Sequence, residues 1–519
     1  MLTPDRIHLR GEPASARDAL ALFAEAVENA IREENYPAAA RLVETDIASA
    51  WFGIQSARLT EILHLFVTKN VTPCPLLKVA HQVLTTSTAG QLSSRELLAS
   101  IDLNDPQQMF VLTLFRMADF RLKGRTIEAL EQGDSLQEHL VRMNPLLDRT
   151  RGAHLQAAVQ IGISAMLAGD FTKALTAFTQ AQMQPAPPQY AFLTRDALVK
   201  SALIHACFGN ATTAKALLDR SVRIRRTSSW IEAHIDTHQE FVRILIHSGS
   251  DDEALDQLEA INLHDIGEMW PFYMVAIHRV LEATGRQDEL ELQLNIFDSL
   301  PLARVDGDGF SGSIIPLNRA LVALSRGREA EADTFLSRTD PHLPYTKLVQ
   351  SAAHLYSGQN QQAIQKATRL RHQTRGFRLM EVRRLSILAT AHYRTGNVER
   401  SIETLKHAAQ LPRGLSPTEI ELFNADCREL AAQHVTPWPS KTPSHTTFLT
   451  GLPEAGRTLT EREIVILRHL AEGHTRARIA EILFISLSTV KTQLRSAFRK
   501  LGVSSTSDAI VECQRRDLI

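Results

Sequence analysis

The sequence has few cysteines and no long apolar run, and both absences restrict the class of protein that it encodes. Its four cysteines are scattered over 519 residues, and none belongs to a Cys-x-x-Cys pair. Such spacing is typical of reduced thiols rather than of a disulfide framework or a zinc site. No run of about eighteen apolar residues occurs, and the N-terminus lacks the apolar core of a signal peptide. The sequence therefore predicts a cytoplasmic protein without a membrane partner.

Motifs that indicate catalysis or nucleotide binding are also missing. There is no Gly-x4-Gly-Lys-Ser/Thr phosphate loop and no Gly-x-Ser-x-Gly nucleophile motif. Histidines of the central region, such as His205, His354 and His392, are predicted to pack or to lie at the surface. We therefore predict no enzymatic activity, no catalytic residue, no cofactor and no metal site.

The segment from Asp306 to Ser313 is similar to a calcium-binding loop in composition. However, Phe310 and Leu317 stand where acidic ligands would be needed. We therefore predict a flexible turn between repeats at this position.

A Gly-x4-Ala pattern recurs from about Arg121 to Leu411. Its glycines are Gly124, Gly169, Gly209, Gly249, Gly327 and Gly358, and Gly285 and Gly396 begin variants with Leu or Ser at the fifth position. Successive glycines are between 31 and 45 residues apart, a period typical of stacked helical hairpins. Glycine can end one helix in the left-handed conformation, and a small residue lets the next helix pack closely. The pattern predicts an all-α superhelix of tetratricopeptide-like repeats.

Composition divides the chain into four regions. Residues 1–120 are predicted to form N-terminal helical hairpins, and residues 121–433 the helical repeats, which end with a helix from Thr418 to Ala432. Six prolines and a Ser/Thr-rich run lie between Leu411 and Thr458. This composition favours an extended linker over residues 434–457. Residues 458–519 are predicted to form a separate C-terminal domain.

Positive charge is concentrated in that last region, although the chain as a whole has a net charge of −1. Between Thr475 and Lys500 there are six basic residues and one acidic residue, Glu481. Such a cluster is the charge pattern that binding to nucleic acid requires.

The C-terminal region also contains the signals of four short helices. Thr460 and Glu463 form a capping box for a helix that begins at Glu461 and ends near Gly473. Thr475 and Ser486 can cap the second and third helices. A fourth helix is predicted from about Ser507 to Arg516.

The third of these helices, about residues 487–501, has one apolar and one polar face. Apolar residues recur at intervals of three and four, namely Val490, Leu494, Ala497, Phe498 and Leu501. The opposite face carries Ser488, Lys491, Thr492, Arg495 and Arg499. Two short helices joined by a tight turn, the second of them built in this way, are typical of a helix-turn-helix whose recognition helix lies in the major groove.

The motifs LTERE, IAEILFIS, STVKTQLRSAFRKLGV and the closing AI resemble the LuxR-type helix-turn-helix domain in order and spacing. The resemblance implies a transcription regulator that binds double-stranded DNA. It implies that bases are read by Lys491, Thr492 and Arg495, and that phosphates are contacted by Arg476, Ser488, Thr489 and Arg499. Two positions depart from the family pattern, since Arg478 replaces an acidic residue and Gln493 replaces a common histidine.

The repeats and the last domain together resemble the large MalT-type LuxR regulators, in which an ATP-binding module precedes the repeats. The phosphate loop of that module is absent here, which disfavours activation by ATP. The resemblance implies a homodimer on DNA that pairs through the fourth helix, association with the nucleoid, and contact with RNA polymerase. It also implies a small-molecule or protein effector on the repeat body.

A second interpretation stays open, in which the repeats are an interaction scaffold and the last domain mainly assembles partners. Separately, two segments of the repeats are rich in arginine, Arg220 to Arg226 and Arg369 to Arg384, and one hypothesis is that they line the groove and bind an acidic ligand or protein. We favour a solvated convex face for both segments.

Overall fold

The computed structural model is all-α in the part of the chain that it describes. The described residues are 19–71, 75–85, 101–143, 152–247, 252–283, 286–326, 328–416, 419–439, 459–501, 503, 505–515 and 518. No strand occurs among them. None of the helices in these ranges is both long and apolar enough to cross a membrane.

The N-terminal region consists of short helices around a core of their own. The helices are α1 (Ala19–Arg32), α2 (Tyr36–Thr45), α3 (Ile47–Gly53), α4 (Ser56–Thr68) and α5 (Pro75–Thr85). Val27, Ile62 and Phe66 are fully buried at its centre. Side-chain caps begin two of these helices, since the carboxylate of Asp46 accepts a hydrogen bond from the N–H of Ser49 at 3.0 Å and Asn35 accepts one from that of Ala38.

Eight antiparallel helical hairpins follow in the described residues. They are α6–α7 (Pro106–Leu122, Thr126–Arg142), α8–α9 (Ala153–Ala168, Phe171–Met183), α10–α11 (Ala191–Cys207, Ala211–Ser221), α12–α13 (Ile231–His247, Asp252–Glu259), α15–α16 (Trp270–Ala283, Gln287–Ser299), α17–α18 (Gly309–Ser325, Glu329–Leu336), α19–α20 (Pro344–Tyr356, Asn360–Arg369) and α22–α23 (Arg378–Arg394, Val398–Ala409). Two single-turn helices lie between hairpins, α14 (Leu263–Ile266) and α21 (Arg371–Thr374). In five of these hairpins the described turn contains the glycine that the sequence predicts, namely Gly124, Gly169, Gly209, Gly358 or Gly396.

The described turns show why glycine occurs there, since glycine can adopt the left-handed backbone conformation that ends a helix. Four of these glycines have a positive φ, namely Gly124, Gly169, Gly358 and Gly396. Gly209 does not, and three more (Gly249, Gly285 and Gly327) lie outside the described residues. The glycine is therefore required by backbone conformation in at least four of the eight turns.

The fifth residue after each glycine is buried without exception. These residues are Ala129, Ala174, Ala214, Ala254, Leu290, Ala332, Ala363 and Ser401, and none is more than 1% exposed. The second helix of each hairpin is thus held against the first at this position. The prediction of stacked helical hairpins is confirmed.

The superhelix is wound tightly enough for distant hairpins to touch. The ring of Phe171 stacks on that of Phe208 at a centroid distance of 4.7 Å and meets Phe310 at 5.4 Å. Phe208 also lies 5.5 Å from Tyr345. These four aromatic residues belong to four different hairpins or their turns, so one aromatic cluster joins the repeats at their centre.

The expectation of a flexible turn from Asp306 to Ser313 is wrong. Helix α17 begins at Gly309, and Phe310 and Ser313 are completely buried. Gly309 has a φ of 56°, and a Cβ there would lie 2.7 Å from Cα of Ala168. Only glycine allows this close approach to the second hairpin. The segment is therefore a packed connection within the superhelix.

The N-terminal helices dock on the repeats through hydrogen bonds as well as apolar contacts. The hydroxyl groups of Ser49 and Tyr190 lie 3.1 Å apart, and the hydroxyl of Ser229 donates to the carbonyl of Phe52 at 2.8 Å. Leu20 and Phe52 belong to the same buried cluster as the repeats. These contacts join the N-terminal region to the third and fourth hairpins.

The body ends in a short 3₁₀ segment, Glu419–Leu422, followed by helix α24 (Ala425–His434). The structure thus has two short segments where the sequence predicts one helix from Thr418 to Ala432. Asn424 begins the second segment, since its side chain caps α24 by accepting a hydrogen bond from the N–H of Cys427 at 3.0 Å. Trp438 meets Phe423 edge-on at 5.6 Å. Packed structure therefore continues at least to Trp438, and residues 440–457 of the predicted linker lie outside the described residues.

Candidate nucleic-acid interface

Four helices form the C-terminal domain, as the sequence predicts. They are α25 (Glu461–Ala471), α26 (Arg476–Ile482), α27 (Leu487–Leu501) and α28 (Thr506–Arg515). The predicted capping box is present, since the N–H of Thr460 donates to Glu463 at 2.7 Å and the N–H of Glu463 donates to the Thr460 hydroxyl at 3.2 Å. Thr475 and Ser486 cap α26 and α27 through the N–H groups of Arg478 and Thr489.

These helices share one apolar core that orients α27. Val490, Leu494 and Ala497 are at most 3% exposed. They pack in one cluster with residues of the other three helices, among them Leu467, Ile479 and Ala509. Because Val490, Leu494 and Ala497 fix one side of α27, its opposite side must face outward.

The three residues predicted to read bases lie on that outward side. Lys491, Thr492 and Arg495 are all exposed. Among the described residues no carboxylate pairs with Lys491 or Arg495. Two unneutralised cations one helical turn apart can donate to guanine edges or to phosphates.

Thr492, unlike Lys491 and Arg495, has no free hydrogen-bond donor to offer to DNA. Its hydroxyl donates to the carbonyl of Ser488, one turn earlier, at 2.9 Å. The donor is therefore occupied, and the methyl group and the acceptor capacity of the oxygen remain for contact with DNA. A methyl group suits contact with the C5-methyl of thymine rather than a hydrogen bond to a base.

Three hydroxyl groups meet at the start of α27. The Ser486 oxygen lies 2.7 Å from the Ser488 hydroxyl and 2.7 Å from the Thr489 hydroxyl. All three side chains are exposed at a helix N-terminus, where N–H groups and the helix dipole favour an anion. The structure thus brings together two of the residues predicted to contact phosphate, Ser488 and Thr489.

The remaining predicted phosphate contacts lie on two helices. Arg476 is the first residue of α26 and is exposed, without an acidic partner among the described residues. The side chain of Arg499 lies outside the described residues. Arg478, which departs from the family pattern, pairs with Glu481 at 2.8 Å on the surface. Such an exposed pair contributes little to stability.

Two features of the domain are not anticipated from the sequence. Phe484, in the turn between α26 and α27, has a φ of 54° and is 95% exposed. At the end of α25, one ligand atom each of His469, Glu472 and His474 lies within 4.8 Å of the others. Imidazole nitrogens and a carboxylate could hold a divalent metal such as zinc. In the sequence, the signal of this candidate metal site is the spacing of the three residues, at i, i+3 and i+5.

In the body, the arginine-dense segment from Arg369 to Arg384 is partly structural. Arg384 is buried and donates to Glu381 at 2.6 Å, and Arg378 pairs with Glu419 at 2.5 Å. These guanidinium groups are engaged inside the fold, so they are not available to an acidic ligand. Arg220 and Arg225 of the other segment are exposed, as a solvated face requires.

Comparison with known proteins gives the C-terminal domain a family. Residues 457–513 match the family described as bacterial regulatory proteins, luxR family. Over 62 residues the chain is 44% identical to the transcriptional regulatory protein LiaR of Bacillus subtilis, which is 12% of this chain and 29% of LiaR. Over 66 residues it is 38% identical to the HTH-type transcriptional regulator MalT of Yersinia enterocolitica, which is 12% of this chain and 7% of MalT. The chain thus covers less than a third of either relative.

A solved structure with an overall likeness is the crystal structure of the APC/C hetero-tetramer Cut9-Hcn1. The alignment covers 96% of this chain and 86% of that one, with a TM-score of 0.40 and 12% sequence identity.

Proposed function

Because its C-terminal domain belongs to the LuxR family of bacterial regulatory proteins, we propose that this chain is a sequence-specific, DNA-binding transcription regulator. Helix α27 lies in the major groove of double-stranded DNA. One observation carries the proposal. The outward side of α27 presents Lys491, Thr492 and Arg495, while its inward side is buried in the domain core.

Each proposed contact has its own chemical role. Lys491 and Arg495 donate hydrogen bonds to base edges, and the Thr492 methyl contacts thymine. Ser488 and Thr489 at the N-terminus of α27, with Arg476 and Arg499, hold phosphates and set the register on the duplex. The domain acts as a homodimer on two half-sites, and RNA polymerase is a further partner.

The helical-repeat body has the second role in this proposal. It senses a small-molecule or protein effector and passes that state to the DNA-binding domain of a cytoplasmic, nucleoid-associated protein. Leu20 and Phe52 of the N-terminal helices are buried in the core of the repeats, which supports a body that responds as one unit.

Selection of bound sequences from random duplex DNA with the full chain, followed by titration at several salt concentrations, tests the proposal. We expect one enriched sequence and an affinity that falls steeply with salt, since each domain neutralises about four to six phosphates. The Lys491→Ala/Arg495→Ala double variant is the matched control and loses the enrichment. A folded wild-type chain without salt-sensitive affinity for DNA would favour the scaffold interpretation instead.

A further inference from the structure

A cavity of about 470 Å³ lies between the N-terminal helices and the repeats. Its walls come from helices α3 to α6 on one side and from α8, α10, α12 and the segment around residues 264–269 on the other. Cavities of about 300–1,000 Å³ are the usual size of small-molecule sites. The space is therefore large enough for an organic ligand.

One part of the cavity wall is aromatic and held in place. Trp51, Phe52, Phe115 and Trp230 line it. The Trp51 ring lies 5.4 Å from that of Phe115, and the indole N–H of Trp230 donates to the carbonyl of Trp51 at 2.8 Å. A flat apolar or aromatic molecule would find fixed ring faces here.

The charged groups that line the cavity neutralise one another. Arg121 pairs with Glu268 at 3.0 Å, and Lys200 pairs with Asp196 in a second ion pair. Lys200 and Asp196 are both nearly buried. A charged ligand would leave one partner of these pairs uncompensated in a poorly solvated space, which is costly. The cavity therefore favours an uncharged ligand.

His238 adds a neutral ring to the wall of the cavity. Its Nε2 lies 3.0 Å from the carbonyl oxygen of Ile266, which can only accept, so Nε2 carries the proton. Burial, with a further contribution from the Lys200 charge, lowers the pKa of His238 to about 3, so the ring is neutral near pH 7. Its Nδ1 has no hydrogen-bond partner among the described residues, but this atom has almost no accessible surface, so a ligand in the cavity does not reach it.

We propose that this cavity binds an uncharged organic molecule that has a flat, apolar body. This site would be the effector site of the regulator proposed above. Its assignment as an effector site rests on that proposed function, whereas the binding of the ligand does not. A ligand here contacts the N-terminal helices and the repeats at once. Its binding would stabilise their docked arrangement over any other.

Calorimetric titration of the full chain with two probes tests the chemistry. 2-Naphthol is uncharged and has a flat apolar body, whereas 2-naphthoate keeps the body and carries a negative charge. We expect 2-naphthol to bind at least about tenfold more tightly, because the basic groups that line the cavity are already paired with carboxylates and the charge of 2-naphthoate would stay uncompensated. Equal affinity of the two probes for the wild-type chain, or no binding of 2-naphthol, overturns the proposal.

Filling the cavity tests the location. Ala118 and Val111 line the cavity, whereas Ala330 lies exposed in a repeat helix. Ala118→Phe and Val111→Phe should each weaken 2-naphthol binding at least about tenfold by occupying the space, and Ala330→Phe should not change it. Circular dichroism identifies any variant that fails to fold, and a folded variant of either residue suffices. Unchanged 2-naphthol affinity in a folded cavity-filling variant refutes the site.

The DNA affinity of the same samples separates this proposal from the one above. A chain that binds DNA but not 2-naphthol refutes the cavity alone. A chain that binds 2-naphthol but not DNA refutes the proposed regulator and leaves the binding site standing without its assigned purpose.

Discussion

Asp308 caps the helix that begins at Thr126, although the two residues are separated by 182 positions in the sequence. Its carboxylate accepts hydrogen bonds from the N–H of Thr126 at 2.6 Å and of Ile127 at 3.0 Å. It also accepts from the Thr126 hydroxyl at 2.8 Å. The residue before Thr126 is an arginine that makes no side-chain cap. A residue at the start of the sixth hairpin therefore caps helix α7 of the first hairpin.

This long-range cap makes Asp308 important for stability. We expect Asp308→Ala to destabilise the body by about 1–2 kcal/mol, the usual cost of losing a side-chain cap at a helix N-terminus. Asp308→Asn should cost less, because an amide oxygen can still accept. The urea midpoint of the full chain measures both changes. Asp333→Ala, at an exposed position in α18, is the control and should leave the midpoint unchanged. An Asp308→Ala midpoint equal to that of the control would contradict the role of the cap.

Lys491 and Arg495 should determine discrimination between DNA sequences. Replacing either by alanine should reduce the preference for the selected sequence over random DNA by about 1–3 kcal/mol, if the side chain makes paired hydrogen bonds to a base. Arg476→Ala should weaken binding to both DNAs by a similar factor, because a phosphate contact carries no sequence information. Competition titrations give the two ratios. If the ratio is the same for Lys491→Ala and the wild type, that residue does not read a base.

Substitutions of Thr492 test whether its methyl or its hydroxyl group contacts DNA. Its hydroxyl donates to the carbonyl of Ser488, so Thr492→Val should keep a methyl group at this position and change affinity by less than about threefold. Thr492→Ala removes the methyl and should lower affinity more. The same competition titrations compare the two variants. Equally large losses in the two variants would mean that the hydroxyl, which both lack, contacts DNA.

Local patterns in the sequence are sufficient to predict the repeats. The Gly-x4-Ala spacing places the turns, and the residue five positions after each glycine is buried in all eight hairpins. Such spacing patterns relate residues that are only a few positions apart in the sequence, within one or two turns of a helix. The contact between Asp308 and Thr126 is of another kind, because it depends on how tightly the superhelix is wound. The expectation of a flexible turn from Asp306 to Ser313 is wrong for that reason.

The candidate DNA-binding surface is also predictable from the sequence, whereas the cavity is not. Capping residues and the apolar spacing of α27 are local signals, and they suffice to place Lys491, Thr492 and Arg495 on one exposed face. His238 has no such signal, since a lone histidine on a repeat helix is usually a packing residue. The cavity that it lines forms only where α12 meets the segment around Ile266 and the N-terminal helices. Sites between distant segments depend on the tertiary fold, which local patterns do not specify.

Phe484 is held in a backbone conformation that does not suit a bulky residue. Its φ of 54° lies in the left-handed region, and its ring is 95% exposed, so packing does not compensate. Phe484→Asn should therefore stabilise the helix-turn-helix by about 0.5–1 kcal/mol. Hydrogen exchange of the amides in α26 and α27 of the full chain should slow about two- to fivefold. Phe484→Ala, which keeps the strain, should exchange at the rate of the wild type. Equal rates for Asn and Ala would argue against strain at this position.

Pairing of two DNA-binding domains is the last expectation to test. One recognition helix covers about half of a typical operator, so specific sites usually require two copies spaced roughly one helical turn apart. In α28, Ala509 and Cys513 are buried in the domain core, which leaves Val511, at 62% exposed, on the outer face. Contact through this face would be small, so DNA must reinforce it.

Val511→Glu should therefore leave the domain folded but lower its cooperativity on DNA, because two carboxylates would meet across the two-fold contact. Ala471→Glu adds the same charge at an exposed position of α25 and should retain cooperativity. Gel-shift titrations against DNA with one and with two half-sites measure the difference, since a contact between domains acts only on the second. If Val511→Glu weakens both DNAs equally, its effect is on the charge or the fold of the domain. If it changes neither, the dimer pairs through another surface.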